Sequence, residues 1–209
     1  MPPLAWIGLT CRQGGFHTVT HNELRDTSSA LLREVFQEVS IKPPLQPLSG
    51  EWLPRTANKE PNARLDIRAR GFWDGMQDAF FDVRVFHPLA PSYRSQKVSA
   101  LYRQHESKKR LEYGQRVLEV EHGSFTPLVC TTSAGMAPEA TVFMKRLASM
   151  IADKREEPYS TTIAWLRCVI SFCLLHSSLR CLRASPKTAK NIVALDRISE
   201  AVAHGRLPA

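Results

Sequence analysis

Two short apolar runs that each enclose an aspartate constrain the fold of this chain more than any other feature. Residues 80–86 read Phe-Phe-Asp-Val-Arg-Val-Phe, an aromatic and β-branched composition typical of a buried strand. Residues 63–69 alternate apolar and polar side chains with the two-residue period of a strand. Gly71 and Gly75 lie between the two runs and predict a hairpin connection. The sequence therefore predicts two neighbouring strands, each with a carboxylate inside it.

Helical and strand patterns on both sides of these runs indicate an α/β fold. A first amphipathic helix is predicted over about residues 19–39, and a proline-rich segment, residues 43–61, follows as an ordered loop with one weakly marked strand near 41–48. Downstream, the pattern predicts a long charged helix, a strand, an amphipathic helix and an almost wholly buried helix, over residues 95–122, 124–131, 138–155 and 160–183. This order favours an αβββαβ-like core, a mixed sheet flanked by helices, with a C-terminal helical layer.

The length and composition suit one globular domain. The chain has 209 residues, of which 43% are hydrophobic and 23% are charged, as in ordinary soluble domains. We assign residues 1–17 to an irregular N-terminal segment, residues 18–183 to the domain, and residues 184–209 to a helical tail with a weaker helix at 187–204. The most apolar stretch, residues 163–182, is interrupted by charged and polar side chains that are costly in lipid. We therefore expect an intracellular protein without a membrane span.

The charge balance points to a polyanionic partner. Lys and Arg number 28 against 20 for Asp and Glu, which gives a formal net charge of +8. Nucleic acid is the commonest partner of such basic domains. Cations are predicted on and around the long helix, where they would follow a phosphate backbone or, alternatively, form a solvated basic face: Arg94, Lys97, Arg103, Lys108, Arg110 and Arg116.

The strand aspartates carry the predicted chemistry. Asp66 and Asp82 on neighbouring strands would hold one hard cation through oxygen ligands, and such a cation polarises a phosphate and acidifies a bound water. The alternative is that each aspartate pairs with a nearby arginine, namely Arg64, Arg68 or Arg84. Glu23, near the start of the first helix, is a third candidate acid, or else an ordinary acid that interacts with the helix dipole.

A cation for the phosphate or the attacking water is offered by the long helix. Tyr102, His105, Lys109 and Tyr113 recur at spacings of three and four residues, so they share one helical face. Lys108 lies nearer another face. The alternative for either lysine is a solvated position without a catalytic role.

Together these residues resemble the PD-(D/E)XK nucleases, in the order Glu23, then Arg64-Leu65-Asp66-Ile67, then Phe81-Asp82-Val83-Arg84-Val85 and a helix. The closer resemblance is to the restriction-like endonuclease domains that follow reverse transcriptases in early-branching non-LTR retrotransposons. In those domains a lysine on the following helix, with a tyrosine one turn later, replaces the motif lysine, and Lys109 and Tyr113 have that spacing. Over roughly residues 11–183 the chain also resembles retroelement-derived reading frames, through the stretches Gly14-Gly15-Phe16, His21-Asn22-Glu23-Leu24-Arg25-Asp26, Phe81-Asp82-Val83-Arg84-Val85-Phe86 and His122-Gly123-Ser124-Phe125-Thr126-Pro127-Leu128-Val129.

The resemblance implies a nuclear, metal-dependent endonuclease that nicks DNA and corresponds to the end of a longer, polymerase-containing element. Mg²⁺ or Mn²⁺ would bind between Asp66 and Asp82, and Glu23 would hold the metal or its water. Lys109 would assist the attacking water or stabilise the phosphate, with support from Arg84 and Tyr113.

Three departures from the family pattern keep an inactive alternative open. Arg84 replaces the signature lysine, and arginine stays protonated, so it cannot act as a general base. Leu65 stands where a proline often precedes the first aspartate. Related elements carry a Cys-Cys-His-Cys zinc knuckle just upstream, and Cys11 is the one residue here that could be its remnant, so we expect no zinc. The alternative is a catalytically inactive DNA-binding or interaction module, a remnant of a retroelement. An enzyme acting on other phosphate substrates is a weaker reading, because the chain has no Gly-rich phosphate loop.

Overall fold

The computed structural model describes residues 16–183; the predicted N-terminal segment up to residue 15, Cys11 and the predicted tail at 184–209 lie outside the described residues. The helices are α1 (Phe16–Arg33), α2 (Val98–Lys109), α3 (Gln115–Glu119), α4 (Pro138–Arg155) and α5 (Tyr159–Arg183). The strands are β1 (Val39–Ile41), β2 (Ile67–Arg70), β3 (Asp78–Phe86) and β4 (Ser124–Thr131). A one-turn 3-10 helix, Pro91–Tyr93, precedes α2, and a π turn, Arg110–Gly114, joins α2 to α3.

One mixed four-stranded sheet organises the described chain. Its order is β1-β2-β3-β4, in which β2 is antiparallel to both β1 and β3, whereas β4 runs parallel to β3. A parallel neighbour requires a crossover, and α2 with α3 supplies it. The predicted α/β class with a mixed sheet and flanking helices is therefore confirmed.

Helices cover the sheet on both faces. On one face, α1, α4 and α5 enclose the largest apolar cluster, at whose centre the rings of Phe72, Phe81 and Phe143 lie with centroids 5.0–5.2 Å apart. On the other face, Tyr113 and Val117 of the crossover pack against Phe80 and Phe125. Because both faces are covered, almost every side chain of β3 is buried, which explains its nearly continuous apolar sequence.

The predicted first helix is too long. α1 ends at Arg33. Val39 is not the last helical residue but the first residue of β1, where it pairs with Ala69 of β2. Val39 fits the helical spacing, but pairing with β2 requires extended backbone, and the carbonyl of Glu38 accepts a hydrogen bond from the Arg70 N–H at 3.1 Å. The weakly marked strand expected near 41–48 shares only Ile41 with β1, and beyond it Pro44 forms a single isolated bridge with Arg64.

The long helix predicted at residues 95–122 is interrupted. The π turn separates α2 from α3, and the helical part ends at Glu119. A π turn inserts extra backbone and rotates the following turn, which periodicity alone does not reveal. By contrast, the predicted strand at 124–131 and the predicted helix at 138–155 coincide with β4 and α4.

The expectation that the last described helix is almost wholly buried is wrong. Leu166, Ile170 and Leu174 of α5 pack into the large cluster, but Phe172 is 68% exposed on the opposite side. Between Tyr159 and Arg180, α5 is long and apolar enough to cross a membrane by length and composition, a test that core helices of soluble proteins also pass.

A buried arginine anchors the proline-rich loop. Arg116 of α3 is 0% exposed. Its guanidinium donates hydrogen bonds to the carbonyls of Asn58 (2.9 Å), Glu60 (2.9 Å) and Gln46 (3.0 Å). Leu45 and Leu53 of this loop are buried, whereas Trp52 is 82% exposed. The loop is therefore held both through its main chain and by these two leucine side chains.

We predict that Arg116→Ala lowers the free energy of unfolding by about 3 to 5 kcal/mol, because three buried carbonyls lose their donor and a cavity remains. Urea denaturation measures the change. Arg103→Ala, which removes an exposed cation from α2, is the matched control and should change stability by less than about 0.5 kcal/mol. Equal effects of both substitutions would contradict the anchoring role.

Candidate active site

Asp66 and Asp82 meet where β2 and β3 separate. The ladder between these strands ends at the pair Ile67 and Phe81, and Asp66 and Asp82 are the next residue on each side. The next donor of β3, the N–H of Val83, bonds to the Asp66 carboxylate at 2.7 Å instead of to backbone. Asp82 is only 6% exposed, and the negative charge of Asp66 contributes to its raised pKa. The hairpin thus brings the two carboxylates together.

Asp66 is bound to the first helix through a histidine that the sequence analysis did not select. Nε2 of His21 lies 3.0 Å from Oδ2 of Asp66, the same oxygen that accepts the Val83 N–H. The hydrogen bond that His21 makes to the Asp66 carboxylate raises the pKa of His21 above its ordinary value, against the opposing effect of burial. His21 was detectable only as a polar residue two positions before Glu23 in the stretch that resembles retroelement sequences.

Asp82 pairs with Lys109, the lysine selected from the sequence. Nζ of Lys109 lies 3.3 Å from Oδ1 and 3.1 Å from Oδ2 of Asp82, and Oδ1 accepts its hydrogen bond. Oδ2 is a buried acceptor that receives no hydrogen bond. The alternative that Asp66 and Asp82 pair with arginines is wrong, since the partners of their carboxylates are His21 and Lys109.

Burial dominates the electrostatics of this pair. Desolvation raises the pKa of Asp82 to about 6, with Lys109 opposing the rise and the charges of Asp66 and Glu112 adding to it. Desolvation lowers the pKa of Lys109, but Asp82 and Glu112 outweigh it, so the net shift is upward. Glu112 Oε2 lies 3.6 Å from the Lys109 ammonium. Lys109 is therefore protonated at neutral pH.

The π turn places Tyr113 beside Lys109, on the shared face that the sequence predicted. The ammonium of Lys109 lies 5.2 Å from the centroid of the Tyr113 ring. The amide of Asn58 donates to the Tyr113 hydroxyl at 3.2 Å, and the Asn58 N–H donates to the Glu112 carbonyl at 2.7 Å. Asn58, whose carbonyl is held by Arg116, thus joins the proline-rich loop to the site, although its sequence context contains no signal for this contact.

Two cations flank the site. Arg84 lies two residues beyond Asp82 on β3, and within the described chain no carboxylate comes within ion-pair distance of Arg84 or Lys108. The pKa of His105 is lowered to about 4, chiefly by burial and in addition by the positive charges of Arg84 and Lys108. His105 itself is a neutral residue of the interior, with its ring 4.5 Å from that of Phe86.

Glu23 contacts the last described helix. Its carboxylate accepts a hydrogen bond from Ser177 and forms an ion pair with Arg180, both on α5. These contacts connect α1 to α5, while His21 is the residue of α1 that contacts Asp66. A metal-binding role for Glu23 stays a prediction. Among residues 16–183 no group of three or more His, Cys, Asp or Glu side chains is arranged to hold a metal ion.

A groove of about 780 Å³ lies away from this constellation. It runs along the start of β4 between the π turn, α3 and α4, and its walls include Trp73, Arg110, Leu118 and Glu139. It contains none of the predicted site residues, so the chemistry of Asp66 and Asp82 is not linked to it.

No protein-family model matches the sequence, and no curated protein is significantly similar to it. The resemblance to nucleases therefore rests on the order and spacing of the sequence motifs.

We predict that the stability difference between Asp82→Asn and the wild-type chain depends on pH. The folded-state pKa of Asp82, about 6, exceeds the ordinary 3.8 of the unfolded chain, so ionisation of Asp82 destabilises the fold as pH rises between these values. Relative to wild type, Asp82→Asn should gain at most about 3 kcal/mol between pH 4 and pH 7. Urea denaturation with a chelator present measures this, and a pH-independent difference would show that Asp82 ionises normally.

Proposed function

We propose that this chain is a metal-dependent DNA endonuclease that hydrolyses phosphodiester bonds and nicks DNA, with a core of the PD-(D/E)XK type. The observation that carries the proposal is the buried Asp82 carboxylate, adjacent to Asp66 and in contact with Lys109. The order of elements supports it, because an antiparallel three-stranded unit, a helical crossover and a parallel fourth strand agree with the αβββαβ core implied by the resemblance.

The carboxylates offer donors that suit a hard cation. Oδ2 of Asp82 accepts no hydrogen bond, although the Lys109 ammonium lies 3.1 Å from it, and Oδ1 of Asp66 accepts none within the described part of the chain. Mg²⁺ is commonly bound by one or two carboxylates, with waters and substrate phosphate completing its coordination. Asp66 and Asp82 would hold Mg²⁺ or Mn²⁺, which supplies charge stabilisation at the phosphate and a more acidic water.

Lys109 is better suited to electrostatic stabilisation than to acting as a general base. Its pKa is raised, so the ammonium keeps its proton at neutral pH and cannot accept one from water. A protonated Lys109 would orient a water or offset the charge that develops on the phosphate oxygens. Tyr113 and Asn58 restrict its position, and Arg84 and Lys108 would attract the flanking phosphates.

One set of contacts favours the second candidate, a catalytically inactive DNA-binding module. Asp66 and Asp82 already have partners in His21 and Lys109, and Glu23 is paired with Arg180. These acids are compensated without any metal. Such a remnant would keep the fold and the basic surface but would not cut DNA.

Nicking of supercoiled plasmid with Mg²⁺ or Mn²⁺ separates the two candidates. We expect wild-type protein to nick, a chelator to abolish nicking, and Asp82→Asn to lower the rate at least about 100-fold. Asp78→Asn is the matched control, because Asp78 begins the same strand and pairs with Arg68 on the surface. Its rate should stay within about 3-fold of wild type.

Two outcomes contradict the nuclease proposal. Equal nicking by wild type and Asp82→Asn would place the activity elsewhere or in a contaminant. Absence of nicking, together with DNA binding that weakens with salt and is equal in both proteins, would favour the inactive module.

A second comparison tests Lys109 against its neighbour. Lys109→Met and Lys108→Met each remove one cation from the end of α2, but only Lys109 contacts Asp82. We expect Lys109→Met to reduce nicking at a saturating DNA concentration by about 100-fold or more. Lys108→Met should chiefly weaken DNA binding and reduce its salt dependence by about one counterion. Equal losses of nicking activity in the two variants would show that Lys109 has no specific role in the reaction.

A further inference from the structure

The carboxylate of Asp66 is held through one of its two oxygens. Nε2 of His21 lies 3.0 Å from Oδ2, and the Val83 N–H donates to the same oxygen at 2.7 Å. Within residues 16–183, Oδ1 accepts no hydrogen bond. The side chains of His21 and Asp66 are only 24% and 14% exposed, so water competes little for the contact between them. One oxygen of Asp66 is therefore fixed by the protein, while the other is left for a ligand.

The two donors belong to different elements, and together they define the plane of the carboxylate. Val83 lies on β3, whereas His21 lies on α1. The torsion that turns a carboxylate about its Cβ–Cγ bond has a broad energy profile. A single hydrogen bond from Val83 would leave the carboxylate of Asp66 free to turn about this bond. A second donor, from His21, removes that freedom and fixes the direction of Oδ1.

The buried face of α1 carries His21 to this position. Leu24, three residues after His21, is 2% exposed, and Ser28, seven residues after it, is 3% exposed. Residues at these spacings share one face of a helix, and Leu24 packs into the large apolar cluster. Glu23 lies off this face and pairs with Arg180 of α5 instead. The packing of α1 against the sheet thus sets the position of the imidazole.

We propose that His21 is a positioning residue for metal binding, which together with the Val83 N–H turns Asp66 so that Oδ1 is presented to Mg²⁺ or Mn²⁺. This role rests on the proposed function, because it has a purpose only if Asp66 binds a metal ion. Carboxylates that bind metals are themselves hydrogen-bonded by neighbouring groups, and loss of such a partner typically lowers metal affinity by about 10- to 100-fold. His21 acts through Asp66 and does not itself bind the metal ion.

The contacts of His21 favour positioning over blocking of the metal site. A blocking group would occupy both oxygens of the Asp66 carboxylate. Among the described residues, the ring nitrogens of His21 contact only Oδ2 of Asp66 and, at 3.5 Å, the amide oxygen of Asn22. A neutral imidazole donates through an Nε2–H as a charged one does, so the contact does not require a positive charge beside the metal ion.

Binding of Mn²⁺ to the protein without DNA tests this role, with free Mn²⁺ measured by electron paramagnetic resonance. We expect His21→Leu, which removes the donor, to weaken Mn²⁺ binding by about 10- to 100-fold. His21→Gln keeps an N–H donor and should restore the affinity to within about 5-fold of wild type. Leucine and glutamine both fill the space of the ring, so only the hydrogen bond predicts a difference between them.

His87→Leu is the matched control. His87 is also partly buried, and its Nδ1 lies 2.8 Å from the hydroxyl of Thr132. It follows Asp82 by five residues along β3, a distance of about 16 Å in an extended strand. The Mn²⁺ affinity of this variant should stay within about 2-fold of wild type, because distant sites act independently. Thermal unfolding establishes that each variant is folded at the temperature of the binding measurement.

Other outcomes separate failure of this role from failure of the nuclease proposal. Equal Mn²⁺ affinity of wild type and His21→Leu, or equal losses in His21→Leu and His21→Gln, would overturn the positioning role alone. Tighter binding by His21→Leu would also overturn it, since the imidazole would then oppose the metal ion. No Mn²⁺ binding by wild type, or binding that Asp82→Asn leaves unchanged, would overturn both proposals.

Discussion

The candidate site depends on the ion pair between Asp82 and Lys109. A carboxylate in the central strand of a covered sheet is costly unless a cation reaches it, and Lys109 does so from the end of α2. The π turn that follows gives Tyr113 its place beside the ammonium, and Asn58 bonds to the Tyr113 hydroxyl from the proline-rich loop. The strand, the crossover helix and the loop are thus linked through one buried charge, so the position of each affects the others.

Much of the fold could be predicted from the sequence, in those segments where the local pattern of apolar residues fits only one type of secondary structure. The hairpin was visible from two strand-like runs with glycines between them, and β4 and α4 coincide with their predicted ranges. The end of α1 was not, because Val39 satisfies helical spacing as well as strand pairing. Only its pairing with Ala69, distant in sequence, decides between the two.

The site shows the same division between local and distant information. Asp66, Asp82, Lys109 and Tyr113 were selected because acids inside apolar strands and a helical i, i+4 pair are local signals. His21 and Asn58 were missed, because their roles arise from contacts 45 and 55 residues away in the chain. Glu23 was selected by motif order, whereas its contacts with Ser177 and Arg180 depend on how α5 packs against α1.

The attachment of the proline-rich loop has an evolutionary consequence. Arg116 donates hydrogen bonds to three main-chain carbonyls, a group that every amino acid carries, so these bonds do not depend on which side chains stand at those positions. Substitutions at exposed positions such as Trp52 therefore leave the anchorage intact. The loop can change its outward chemistry freely while its path stays the same, a property suited to acquiring new binding specificities on a constant scaffold.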